Sequence, residues 1–415
     1  MTSQTTIARS TAPDGLHGAA EREALTACFC LGLFFTVATA ISQILVLEPH
    51  PGVWRDGSTL VVGRDFMNFW MYGKSASLER PGIWYDVPSY HGVQRAWLGE
   101  DYQGSSWSYP PSVIPFAWPF AQMPYLAALA LWSALGLGVL AATLRAHGHG
   151  ARFIATIFLG PAAVFCLISG QSSLLTAAMT LGALAALDRR PVLAGVLIGL
   201  LTLKPQLGLL YPLMLAASGR WRVFGVAAAT TLAIVALTTA LYGPQVWIDF
   251  VTMGLPVQSH VMADPELIAT PFYVTVFMNV RGLDAPYWVA MSAQMVVSLA
   301  AAAIVWRAFS KHRDADPQML GALFLACSVA VTPYMLAYDS LPLAIAAMAL
   351  LASGKLDGAG RRLALAVFWL PLIQMVFGSV HIPGPALIAP AFAVWLALKL
   401  EILPRWNFRT AAASS

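Results

Sequence analysis

The sequence predicts an all-α, polytopic membrane protein of about twelve helical segments, with long loops on one face of the bilayer. Three observations predict it. The 415 residues are 58% hydrophobic and only 11% charged, where a soluble domain carries about 25% charge. Apolar runs near the roughly 20 residues that cross a bilayer recur along the whole chain. Lys and Arg gather in alternate connections, the pattern that orients a membrane protein. The net charge of +4 is therefore no pointer to nucleic acid, and the bilayer is the expected partner.

Runs bounded by charge, Gly or Pro place helices at 24–47, 113–143, 153–168, 172–187, 191–203, 206–217, 223–242, 287–307, 318–334, 338–353, 363–378 and 384–400. Ala38-Thr39-Ala40 in the first run resembles a cleavage site. The polar arm before it is long and the run continues to Leu47, so an uncleaved helix is expected. The chain then divides into an arm at 1–23, a transmembrane domain at 24–403 and a tail at 404–415. Cys28, Cys30, Cys166 and Cys327 each lie within an apolar run and read as packing residues, with no redox motif or metal set. There is no P-loop, no strand-preceded G-x-G-x-x-G and no H-E-x-x-H. No cofactor is expected; a divalent metal is left open.

The runs at 191–203 and 206–217 are one helix kinked at Lys204-Pro205 or two halves of a hairpin. Asp188-Arg189-Arg190 precedes the pair and Arg220-Trp221-Arg222 follows it. With both basic clusters cytoplasmic, the chain must enter and return, and every later basic loop then falls on the same side. That side holds 17 of the 24 Lys and Arg residues, which favours the hairpin and puts Lys204 at its tip. Two long loops, 48–112 and 243–286, then face outward, the second with Trp247, His260, Asp264 and Glu266 and a short interfacial helix near 244–253. Loops of that length are uncommon without a function.

Five outward segments carry groups that an anchor does not need. Gly63-Arg64-Asp65-Phe66-Met67-Asn68-Phe69-Trp70, continuing through Tyr72 and Lys74, sets a carboxylate among aromatic rings. Shielded from water, Asp65 gains basicity; alternatively it pairs with Arg64 or caps a helix. Trp107-Ser108-Tyr109-Pro110-Pro111 suits an interfacial anchor. Ser169-Gly170-Gln171-Ser172-Ser173 is a tight connection whose polar groups bond a ligand or cap the next helix. Leu203-Lys204-Pro205-Gln206 breaks a helix pair around an ammonium, and an intramembrane Lys is a functional candidate by default. Thr332-Pro333-Tyr334 through Tyr338-Asp339 contains one acid, able to pair with Lys204 or Arg64 or to hold an acceptor hydroxyl. His260 and His381 face outward without visible metal partners.

These pieces in this order resemble the glycosyltransferase 87 family. The resemblance rests on the acid-aromatic segment after the first helix, the Tyr-Pro-Pro stretch and the Gly-Gln connection. It adds Ala194-Gly195, Gly199, Lys204-Pro205 and Gly219-Arg220-Trp221, and covers about residues 60–350. It implies a glycosyltransferase C-type bundle that transfers a sugar, typically mannose, from a polyprenyl-phosphate carrier to a glycan or glycolipid acceptor. The setting it implies is a bacterial inner membrane with the active site on the periplasmic face. On that reading Asp65 is the general base, and Lys204 with Arg64 holds the leaving phosphate. Asn68, Tyr72, Tyr109, Gln171, Gln206, Tyr338 and Asp339 line the substrates. The family's Ser-Pro…Trp…His motif departs here to Thr332-Pro333-Tyr334-Met335-Leu336-Ala337-Tyr338-Asp339, with neither Trp nor His. The rival class is a transporter or flippase for a lipid-linked or small polar solute, which also uses broken helices and buried charge.

Overall fold

The computed structural model describes residues 14–404 apart from 57–59, 107 and 265–269. Trp107, Glu266, the arm before Asp14 and the tail after Pro404 lie outside the described residues. A long helix, α1 (Asp14–Leu45), leads to a two-stranded antiparallel hairpin, β1 (Glu48–His50) and β2 (Val53–Arg55), with Glu48 opposite Arg55. The first loop then folds into α2 (Arg64–Ser75), α3 (Val87–Leu98) and α4 (Ile114–Ala121). Its own core is aromatic, built on Phe66, Trp70, Tyr72, Tyr85, Tyr90 and Tyr102. Next come α5 (Tyr125–Ala146), α6 (Ala151–Phe158), α7 (Pro161–Ser169), α8 (Ser173–Ala186), α9 (Pro191–Leu200), α10 (Tyr211–Ala217) and α11 (Trp221–Tyr242). The second loop holds α12 (Gln245–Asp249), a π-turn at Phe250–Gly254, α13 (Leu255–Ala263) and α14 (Val276–Arg281). The chain closes with α15 (Tyr287–Lys311), α16 (Pro317–Val331), α17 (Leu341–Ala352), α18 (Gly358–Gly378) and α19 (Ile388–Lys399).

Five of these helices are long and apolar enough to cross a bilayer: α1, α5, α11, α15 and α18. The chain is an all-α polytopic membrane protein. A sixth span is the pair α6–α7, expected as one straight helix but bent by 58° where Leu159-Gly160 meets Pro161. The expected helix at 113–143 is also two. Pro124 stands before α5 and lacks the N–H that would continue α4. As a result α4 leaves the spans and packs on α2, at Gly73, where a methyl group would sit 2.5 Å from the Ala117 carbonyl oxygen.

Arg220 Nη2 lies 2.8 Å from Asp188 Oδ1, so the connections before α9 and before α11 meet at one end. A methyl group at Gly195 would strike Val226 Cβ at 2.6 Å, and one at Gly199 would strike Thr230 Cβ at 2.5 Å. The register of both helices advances together, so α9 and α11 run parallel and 205–217 must return between them. The segment is a hairpin, with Lys204 at its tip. Lys355–Asp316 at 2.5 Å and Lys399–Asp357 at 2.5 Å tie the other basic connections together. At the opposite ends of α8 and α17, Ser173 Oγ donates to Asp339 Oδ1 at 2.6 Å.

The helices between these two ends are short. Runs of 10 to 15 residues in α8, α9, α16 and α17 rise roughly 15–22 Å against a hydrocarbon thickness of about 30 Å. They leave a hollow at the end away from the basic connections, and helices α2 and α4 sit over it. Phe116 and Trp118 of α4 stay exposed to the surroundings, as befits a helix dipping into lipid.

Candidate active site

Backbone geometry aims the polar groups at the hollow. Gly63, at φ 72°, turns the chain into α2. Its N–H donates to Ile168 O at 3.2 Å, and Tyr125 Oη donates to Val62 O at 2.6 Å, fixing the start of α2 against α7 and α5. Asp65 and Phe69, one helical turn apart, then share the face toward the hollow. Gly170, at φ 71°, closes the α7–α8 connection so tightly that a methyl group would lie 2.6 Å from Phe66 Cβ. Trp132 Nε1 donates to its carbonyl at 3.1 Å. This turn delivers Gln171. Lys204 stands between two 3-10 turns at the hairpin tip, and Asp339 lies on a third, Ala337–Ser340.

The three segments meet through hydrogen bonds. Lys204 Nζ donates to Asp339 Oδ1 at 2.6 Å and to Gln171 Oε1 at 3.1 Å, with both charged side chains almost fully buried. Gln171 Oε1 also accepts from Tyr109 Oη at 3.3 Å and Ser172 N at 3.1 Å. With three donors on its oxygen, the amide is locked, and its NH2 is the side that bonds Asp65. Tyr338 Oη donates to Asp65 Oδ2 at 3.1 Å, and Lys204 Nζ lies 5.2 Å from the Tyr338 ring centre. Burial pushes the proton affinity of Asp65 up; the Arg64 charge, the bonds from Gln171 and Tyr338, and the Lys204 charge oppose it.

From this polar end runs an apolar groove of about 290 Å³, walled by Phe69, Val113, Trp132, Leu175, Met179 and Leu203. Phe116 and Leu135 on its rim are 37% and 43% exposed, so one apolar flank of the groove is open. One buried ammonium, one carboxylate and a long apolar trough suit a ligand with an anionic polar junction and a hydrocarbon tail.

Of the residues singled out from sequence, Asp65, Tyr109, Gln171 and Lys204 line this groove. Tyr338 and Asp339 stand behind it, bonded to Asp65 and Lys204 respectively. Four others, Asn68, Tyr72, Arg64 and Gln206, do not line it. Asn68 turns into the loop core, where its Oδ1 accepts from Tyr90 Oη and Ser105 Oγ, each at 2.8 Å. Tyr72, one turn further on the same face, packs on Tyr85 with ring centres 5.0 Å apart. Arg64 lines a separate cavity with Gln43 and Asp56, its guanidinium 5.6 Å from the Phe272 ring centre. Gln206 lies beyond the break, on the Pro205–Gly208 turn and outside the groove lining. His260 sits 3.8 Å from Asp264, and the His381 ring nitrogen lies 3.0 Å from Gly282 O.

Ser173, read in sequence as bonding a ligand or capping a helix, instead orients Asp339, and the walls Trp132, Leu175 and Met179 were not singled out. Ser173 was visible beside Gln171. The wall residues carried no signal, because an apolar side chain facing a groove reads like one facing lipid.

The family model described as Glycosyltransferase family 87 matches residues 107–338, more than half of the chain. Neither the curated proteins nor the solved structures yielded a match.

Proposed function

The chain belongs to glycosyltransferase family 87 and is a membrane glycosyltransferase, and from that premise we propose that it draws its sugar from a polyprenyl-phosphate carrier. The sugar is mannose on the family resemblance, and the acceptor is a hydroxyl of a glycan or glycolipid. The reaction takes place on the non-cytoplasmic face of a bacterial inner membrane, the side away from the basic connections.

The observation that carries this reading is the groove itself. Its apolar walls accommodate an isoprenoid chain, and its polar end brings Lys204 and Asp65 together across Gln171. Lys204 has three N–H bonds and directs two of them at Asp339 and Gln171. The third is available to an oxygen of the carrier phosphate, where negative charge grows as the sugar leaves. Asp65 takes the proton of the acceptor hydroxyl as that oxygen attacks the anomeric carbon. The carbon–oxygen bond to phosphate breaks in the same step, its electron pair leaves with the carrier phosphate, and the anomeric configuration inverts. Asp339 keeps Lys204 charged and aimed.

Purified protein supplied with a radiolabelled polyprenyl-phosphate sugar and a glycolipid extract tests the proposal. Asp65→Asn is expected to lower transfer by roughly 10²–10⁴-fold, the usual contribution of a general base. Undiminished transfer by that variant contradicts the base assignment. Solute uptake into proteoliposomes without any sugar transfer points instead to a transporter.

A further inference from the structure

We infer that Tyr338 is a positioning residue for Asp65, holding the carboxylate in one orientation and in its ionised form. The inference rests on Asp65 being the base and assigns Tyr338 a task beyond lining a substrate. Its hydroxyl donates to Asp65 Oδ2 at 3.1 Å, and only 7% of the residue is exposed. The phenol is anchored independently of Asp65. The second loop straps its segment down: Val274 N donates to Met335 O at 3.2 Å and Thr275 Oγ1 to Pro333 O at 2.8 Å. On its other side Asp339 is fixed by Lys204 and Ser173. One 3-10 turn therefore holds both the base and the ammonium.

Asp65 faces charged groups from several elements. Arg64 adjoins it on α2, and Lys204 approaches from the hairpin tip with Asp339 behind it. The other titratable neighbours are phenols, Tyr109 and Tyr125 on one side and Tyr273 and Tyr334 on the other. Among these tyrosines, Tyr338 bonds the Asp65 carboxylate directly. A donor on a carboxylate favours the ionised form and lowers its pKa. Removing the hydroxyl raises the Asp65 pKa, so the acidic limb of activity moves to higher pH. Phenylalanine keeps the ring that faces the Lys204 ammonium, so the donor phosphate site is left as it was.

The test titrates the Asp65 carboxyl band by infrared difference spectroscopy without substrate, using Asp65→Asn as the blank. In Tyr338→Phe the midpoint is expected to rise by about one pH unit, the effect of one hydrogen bond to a charged group. With 3-fluorotyrosine at 338, a stronger donor of nearly unchanged volume, it is expected to fall. The acidic limb of kcat follows in both, while KM for the lipid donor stays within about twofold. A midpoint unmoved in both variants, or a change confined to donor KM, overturns the inference. If Tyr338→Phe does not fold, the fluorotyrosine protein decides alone. A midpoint that moves in a protein that transfers no sugar contradicts the proposed function and leaves the positioning role standing. Transfer with an unmoved midpoint does the reverse.

Discussion

Lys204 and Asp339 meet where both are cut off from water, and each is the other's main compensation. Removing one partner strands a buried charge, so Lys204→Ala and Asp339→Asn are each expected to destabilise the protein by about 3–5 kcal/mol. Replacing both, as Lys204→Met with Asp339→Leu, recovers most of that stability without restoring transfer. Thermal unfolding in detergent reads the difference, and a double variant no more stable than the singles contradicts it. Burial also raises the Asp65 pKa above its ordinary value. Transfer then climbs as pH rises through that pKa, because the base works only when ionised; a pH-independent rate from the acid side contradicts this. At this scale the sequence exposed Asp65, Tyr109, Gln171 and Lys204, since polar groups flanked by apolar runs stand out. It did not show that Asn68 and Tyr72 face the loop core, because facing depends on helix rotation, which composition does not reveal.

The hairpin of α9 and α10 is the element on which the site depends, since its broken tip presents Lys204. The basic clusters flanking it on both sides were readable in sequence, and the Arg220–Asp188 pair brings them together. The bend at Pro161 and the break at Pro124 were less legible. Continuous apolar composition hides a change of direction, and proline alone does not state its angle. Close packing of α9 on α11 is expected to be strict. Gly195→Leu must displace Val226 and the Val223 carbonyl, costing about 1–3 kcal/mol. Gly225→Leu, with nothing within 4 Å of its added carbon, is the matched control. Equal unfolding midpoints for the two variants contradict the parallel packing.

Across the whole molecule, basic connections collect at one end and the polar groove at the other, with short helices leaving the hollow between. Composition announced the membrane and the charge pattern announced the two ends. The groove emerged only from the folded arrangement, since its walls come from α2, α4, α5, α8 and the hairpin. Narrowing it with Met179→Trp is expected to raise KM about tenfold for a long-chain donor, the effect of losing about 1.4 kcal/mol. A short-chain analogue should be spared; equal effects on both contradict a tail-binding groove. The most direct measurement is an electron cryomicroscopy map of the protein with a polyprenyl-phosphate sugar bound. The phosphate is expected within hydrogen-bond reach of Lys204 Nζ, the sugar beside Asp65, and the chain lying between Trp132 and Met179. Headgroup density beside Arg64, or a chain seated between α9 and α11 with the groove empty, contradicts it.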